Sequence, residues 1–139
     1  MSTIVQFNFP TVIRFGAGAI KELPAHLKGQ DKNRPLLVTD PIVATLPFFI
    51  QIIDDLKKAG LKPTVYAEMH KNPVKSDVMK GKAAYTEADC DCIVGVGGGS
   101  ILDISKAISI LLKNKGKCSK YVGWDKVKNP GVYKIAIPT

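Results

Sequence analysis

The chain has 139 residues, of which 45% are hydrophobic. This length suits one domain or part of a larger protein, and the apolar content excludes an intrinsically disordered chain. No apolar run approaches the length of a membrane span, and the first residues lack the basic and apolar regions of a signal peptide. We therefore expect a soluble cytoplasmic protein without a membrane partner.

The charge balance is basic, with 20 Lys and Arg against 12 Asp and Glu and a formal net charge of +8. The lysines are scattered through predicted helices and loops, and aromatic residues do not alternate with them as in a stacking surface for nucleic acid. We expect a solvated basic surface and no nucleic-acid partner.

The three cysteines, Cys90, Cys92 and Cys118, are an odd number and show no CxxC spacing. Neither His26 nor His70 lies near Cys90 and Cys92 in sequence. This pattern disfavours a zinc site and fits reduced structural thiols in the cytoplasm.

The predicted elements begin with two short pieces of alternating polarity, residues 5–9 and 12–15, which predict an antiparallel ribbon at a sheet edge. A modest helix follows over residues 19–27. Further strands are predicted at 36–39, 64–67, 92–96 and 133–137, with helices at 42–59, 75–88 and 101–113 and a polar loop at 113–129.

The predicted helix 42–59 has the clearest pattern. Its apolar side chains recur at steps of three and four residues, and Gly60 ends it. The predicted buried face consists of Ile42, Leu46, Phe49, Ile53 and Leu56.

Strands that alternate with helices predict an α/β fold with a doubly wound, mostly parallel sheet. Ligands of such sheets bind in the crevice at the carboxyl ends of the strands. Three places in this chain follow predicted strands: Asp40, the loop with Asn72 and Pro73, and the glycine turn at residues 97–100.

The glycine turn is the most informative stretch. Gly97, Gly98 and Gly99 directly follow an apolar strand, so backbone amides are open to a ligand. Ser100 is predicted to be the N-cap of the next helix, with Asp103 completing a capping box. The start of that helix would attract a phosphate or pyrophosphate, although glycines at such turns also serve close packing alone.

Asp40 ends a strand, where a carboxylate can accept both hydroxyls of an adenosine ribose and would repel a 2′-phosphate. The alternative is a turn-forming Asp before Pro41. Asp40 precedes the glycine turn by almost sixty residues, whereas the acidic residue of the usual dinucleotide fingerprint follows its glycines by about twenty. The chain is therefore not an ordinary GxGxxG fold.

Five motifs together resemble the iron-containing (group III) alcohol dehydrogenase family in order and spacing. They are Phe15-Gly16-Ala17-Gly18-Ala19, Val38-Thr39-Asp40, Asn72-Pro73, Gly97-Gly98-Gly99-Ser100 with Asp103 and Lys106, and Ala136-Ile137-Pro138-Thr139. The resemblance implies that residues 1–139 form one N-terminal dinucleotide-binding domain, Rossmann-like and similar to the N-terminal domain of dehydroquinate synthase.

The resemblance also implies which residues bind NAD, with NADP less favoured. Asp40 would contact the adenosine ribose, Asn72 would lie along the cofactor cleft, and Asp103 would shape the nicotinamide end, although pairing of Lys106 with Asp103 is an equally good structural account. The pyrophosphate would be held by Gly97, Gly98, Gly99 and Ser100, and Thr139 would begin a turn that reaches the cofactor phosphates.

The family's helical metal-binding domain is expected to be absent, and with it the ligands of iron or zinc, so no catalytic or metal-binding residue is expected here. The implied enzyme interconverts an alcohol and an aldehyde or ketone by hydride transfer, with this chain alone inactive. A stand-alone nucleotide-binding module and a relative of dehydroquinate synthase or glycerol dehydrogenase remain alternatives, and a homodimer stays open.

Overall fold

The computed structural model describes residues 10–121 and 126–139. Its strands are Pro35–Val38 (β1), Thr64–Tyr66 (β2), Cys92–Gly97 (β3) and Lys134–Pro138 (β4). Its α-helices are Leu23–Gly29 (α1), Pro47–Lys58 (α2), Lys75–Glu87 (α3) and Gly99–Lys113 (α4), with 3-10 turns at Ala19–Glu22, Val43–Thr45 and Cys118–Tyr121.

The four strands form one sheet in the order β2-β1-β3-β4, and each neighbouring pair is parallel. Val38 of β1 lies beside Gly95 of β3, and Gly97 of β3 lies beside Pro138 of β4. The carboxyl ends of β1, β3 and β4 therefore meet at one edge of the sheet.

Helices cover both faces of the sheet because successive strand residues point to opposite sides. Leu36 and Ile93 belong to one core, where they pack with α3 and α4, whereas Leu37 and Val94 belong to the other core, with α1 and α2. The predicted doubly wound α/β fold is confirmed.

Helix α4 approaches β3 unusually closely at Gly95. A Cβ atom on Gly95 would lie 2.5 Å from the Ser105 Oγ, which in turn donates a hydrogen bond of 2.8 Å to the Ile101 carbonyl. Any larger residue at position 95 would push α4 away from the sheet. The start of α4 is thus fixed relative to the end of β3.

The prediction of one continuous helix over residues 42–59 is wrong at its start. Leu46 is extended, with φ −77° and ψ 143°, and separates a 3-10 turn from α2. Pro47 explains the break because its ring disfavours the helical conformation in the residue before it. The buried side chains of α2 are Phe49, Ile52 and Leu56, whereas Ile42 is 74% exposed.

The N-terminal ribbon stays a prediction. Its first piece, residues 5–9, lies outside the described residues, and residues 12–15 are assigned to no strand among those described. The predicted loop 113–129 contains the 3-10 turn Cys118–Tyr121, and Asn114 ties its two ends together by side-chain hydrogen bonds with the Asn129 backbone of 2.8 and 3.0 Å. Within the described ranges, no helix is long and apolar enough to cross a membrane.

Candidate functional site

The sheet topology creates a crevice between the carboxyl ends of β1 and β3. The connection from β1 to β2 runs through α2 on one face, and the connection from β3 to β4 runs through α4 on the other. Neighbouring strands whose connections leave on opposite faces define a switch point, where ligands of open α/β sheets bind. A buried hydrogen bond of 2.7 Å from the Thr39 Oγ1 to the Val96 carbonyl joins the two strand ends there.

Gly97 serves the protein's own packing. Its φ is +153°, a backbone conformation that side chains with a Cβ rarely adopt. A Cβ at this position would lie 2.8 Å from the Cγ1 of Ile101. The close-packing alternative considered for the glycine turn therefore accounts for Gly97.

Gly98 and Gly99 do not fit the close-packing alternative. Neither has a positive φ, and a Cβ on either residue would meet no described atom within 4 Å. Both are exposed at the mouth of the crevice, where α4 begins. The lack of side chains leaves an open surface of bare backbone, which a ligand could contact closely.

The prediction that Ser100 caps α4 is wrong. The N-cap is Gly98, whose extended backbone places its carbonyl 3.1 Å from the amide nitrogens of both Ile101 and Leu102. The helix therefore begins at Gly99, and Ser100 lies within its first turn and not at its N-cap. N–H groups in the first turn of an α-helix have no acceptor within the helix, so they and the Ser100 hydroxyl can serve an anion.

Asp103 does not complete a capping box. Its carboxylate lies 3.7 Å from the Lys106 Nζ, and both side chains are more than half exposed. The structure thus shows the i, i+3 pair that was the alternative account of Lys106, and such an exposed pair adds little stability.

Asp40 forms the turn that was its alternative explanation. Its Oδ1 accepts hydrogen bonds of 2.8 Å from the backbone N–H groups of both Ile42 and Val43. This arrangement starts the 3-10 turn after β1 and fixes the carboxylate at the strand end. These turn contacts use Oδ1, so a ligand contact of this carboxylate would have to use Oδ2.

Thr139 lies beside the glycine turn. Its backbone N–H donates a hydrogen bond of 3.1 Å to the Gly97 carbonyl, which extends the β3–β4 pairing by one residue. Thr139 is exposed, so its side chain is accessible at the same edge of the sheet.

A cleft of about 400 Å³ joins two of the three places that follow predicted strands. One wall comes from the start of α3 and the residues just before it, and the other from α4. The cleft is lined by Pro73, Val74, Lys75, Val78, Ser100, Asp103, Ile104, Ala107 and Cys118. Asn72, exposed in the loop before Pro73, is adjacent in sequence to this lining, whereas Asp40 does not line the cleft.

A buried carboxylate that sequence reasoning missed supports the α3 wall. Asp77 is 0% exposed, and its Oδ1 lies 2.8 Å from the Nδ1 of His70 while its Oδ2 accepts a 2.8 Å hydrogen bond from the Val74 N–H. Burial opposes ionisation, but these hydrogen bonds and the nearby His70 outweigh it and hold the pKa of Asp77 below its ordinary value. The seven-residue spacing of His70 and Asp77 across a loop gave no sequence signal.

Tyr66 closes this cluster from β2. Its hydroxyl donates a 2.6 Å hydrogen bond to the backbone carbonyl of Asp77. Burial, and then the nearby carboxylates of Asp77 and Glu68, raises the pKa of Tyr66 to about 12, so the hydroxyl stays protonated as a donor.

Within residues 10–121 and 126–139, no group of three or more His, Cys, Asp or Glu side chains could hold a metal ion. Cys90, Cys92 and Cys118 are free thiols. Burial raises the pKa of both Cys90 and Cys92, which favours the protonated form and opposes metal ligation.

Comparison with known proteins agrees with the class of fold described above, a doubly wound α/β domain. The family model "Iron-containing alcohol dehydrogenase" matches residues 10–139. The chain belongs to this family, as its sequence motifs predicted.

Relatives of the chain include alcohol dehydrogenase 4 of Saccharomyces cerevisiae strain YJM789, which is 32% identical over 100% of this chain and 36% of the relative. The NAD-dependent methanol dehydrogenase of Bacillus methanolicus is 29% identical over 98% of this chain and 36% of its own length. The solved alcohol dehydrogenase of Oenococcus oeni superposes with a TM-score of 0.91 at 32% identity, covering 98% of this chain and 36% of that one. The chain thus spans about a third of the length of these relatives.

Proposed function

We propose that this chain is the NAD-binding part of a metal-dependent alcohol dehydrogenase that interconverts an alcohol and an aldehyde or ketone. The observation that carries the proposal is the bare backbone of Gly98 and Gly99 at the start of α4. Neither glycine is required by its backbone angles or by packing against the described residues. A pyrophosphate that lies against the first N–H groups of α4 would explain both.

The other predicted residues have roles consistent with one extended dinucleotide. The Asp40 Oδ2 would accept hydrogen bonds from the adenosine ribose while Oδ1 keeps its turn contacts. Asn72 and Asp103 would lie along the cleft between α3 and α4, and the Thr139 side chain would reach the cofactor phosphates from the end of β4. A carboxylate at the ribose favours NAD over NADP, because it would repel a 2′-phosphate.

The nicotinamide, when bound, supplies the chemistry by accepting or donating a hydride. The contribution of this chain is to bind the dinucleotide and orient it along the crevice. Iron or zinc, if the enzyme uses it as its family name implies, would be held by residues that the described part of this chain does not provide. We infer that the chain alone binds cofactor without catalysing turnover.

The proposal is tested by titrating the ¹⁵N-labelled chain with NAD and following its amide resonances. Resonances of Gly98, Gly99, Ser100 and Asp40 should shift together with increasing NAD. The amide of Asn33, which lies at the opposite end of β1, is the internal control and should not move. Shifts confined to other surfaces, or none at millimolar NAD, would refute the proposed site.

A further inference from the structure

The Asp77 carboxylate joins two residues that flank one short segment of the cleft wall. The Asp77 Oδ1 lies 2.8 Å from the Nδ1 of His70, and the Asp77 Oδ2 accepts a 2.8 Å hydrogen bond from the Val74 N–H. Residues 71–73 lie between these two contacts, and they include Asn72 and the cleft-lining Pro73. The fully buried Asp77 side chain thus holds both ends of the segment 71–73 in place.

The anchor itself is held firmly. Asp77 lies in the first turn of α3, where a carboxylate that accepts the N–H of the residue before the helix is stabilised. Tyr66 holds the Asp77 backbone to β2 by its 2.6 Å hydrogen bond. His70, by contrast, is 61% exposed, so its hydrogen bond is the contact that can be lost without opening the core.

We propose that His70 and Asp77 form a positioning pair for the cofactor cleft, which presets the segment carrying Asn72 and thereby strengthens NAD binding. The inference rests on the proposed function of the cleft. A segment that is already held in its bound conformation loses less conformational entropy when the ligand binds. His70 therefore acts through Asn72 and touches no part of the cofactor.

The test compares His70→Ala with His70→Asn in the 139-residue chain. The Asn amide can occupy the place of the Nδ1 donor, so His70→Asn should retain the hydrogen bond to Asp77 and wild-type affinity. His70→Ala should raise the NAD Kd about fivefold to tenfold in calorimetry, the size of effect that loss of one typical hydrogen bond produces. Lys58→Ala, an exposed lysine at the end of α2 and outside residues 70–77, is the control and should leave Kd unchanged.

A double-mutant cycle separates positioning from a general structural role. In the Asn72→Ala background, His70→Ala should change the NAD Kd by less than about twofold, because the side chain that His70 presets is gone. Full additivity of the two substitutions, or an unchanged Kd in His70→Ala, would overturn the inference.

Hydrogen exchange tests the pair without cofactor. The Val74 amide should exchange at least about threefold faster in His70→Ala than in the wild type, and at the wild-type rate in His70→Asn. An unchanged Val74 rate in His70→Ala overturns the positioning pair. If the Val74 amide exchanges as expected in both variants but the wild-type chain does not bind NAD, the proposed function is refuted and the contact between His70 and Asp77 is not. The failure of the inference and the failure of the proposed function are therefore distinguishable.

Discussion

Substitution by Ala should have a different effect at Gly97 than at Gly98 and Gly99. Gly97→Ala places a side chain at φ +153° and brings its Cβ to 2.8 Å from Ile101. Gly98→Ala and Gly99→Ala place their Cβ atoms where no atom of the described residues lies within 4 Å, and neither position has a positive φ. Substitution at position 97 should therefore affect stability, whereas substitution at positions 98 and 99 should affect NAD binding.

The magnitudes follow from these environments. The backbone strain at position 97 costs about 1–3 kcal/mol, and the contact with Ile101 adds about 1 kcal/mol or more. Gly97→Ala should thus lower the free energy of unfolding by about 2–4 kcal/mol. Gly99→Ala, at the first position of α4, should leave it unchanged or raise it by up to about 1 kcal/mol.

Urea denaturation measures the stability of each variant, and calorimetry at a temperature where all are folded measures NAD binding. We expect Gly98→Ala and Gly99→Ala to weaken NAD binding by roughly tenfold or more, since a methyl group would separate the pyrophosphate from the backbone amides. Wild-type affinity in both variants would refute the reasoning that these glycines are open for a ligand.

Three further substitutions test single contacts. Asp40→Asn should keep the turn contacts of the side-chain oxygen but lower the ratio of the NADP Kd to the NAD Kd about tenfold, as measured by calorimetry. An unchanged ratio would remove Asp40 from the proposed site. Thr39→Val should lower the free energy of unfolding in urea by about 1–2 kcal/mol because a buried hydrogen bond is lost, and an unchanged urea midpoint would contradict this role. Burial opposes ionisation of Asp91, but hydrogen bonds from the backbone N–H groups of Asn33 and Arg34 outweigh it and hold the Asp91 pKa below its ordinary value. A carboxylate with a lowered folded-state pKa stabilises the fold above pH about 4, and this stabilisation is lost as the pH falls. Asp91→Asn should therefore lower the free energy of unfolding by about 1–3 kcal/mol at pH 7 and by much less at pH 3. An equal decrease at both pH values would contradict this role of Asp91.

The fold was predictable because its signals are local. The run of apolar residues before Gly97 is typical of a strand that is buried on both faces, and the 3.6-residue periodicity of α2 is confirmed by Phe49 and Leu56. The start of α2 was missed because Pro47 acts on the residue before it, which outweighs the periodicity of the apolar side chains.

The arrangement of the candidate site was predictable only in part. The strand-end rule located Asp40 and the glycine turn, but the sequence could not show that Gly98 rather than Ser100 caps α4, because both residue types are acceptable N-caps. The His70–Asp77 pair depends on how the loop before α3 folds back onto the helix. No periodicity or motif encodes such a contact between side chains seven residues apart.

The most direct test of NAD binding by this chain is a thermal-shift titration with NAD and, separately, with NADP. A ligand that binds only the folded state at ten times its Kd stabilises it by about 1.4 kcal/mol, which should raise the Tm of a domain of this size by roughly 4–6 °C. We predict such a shift with NAD and a much smaller one with NADP at the same concentration. No shift with NAD at any concentration, or a larger shift with NADP, would contradict the account.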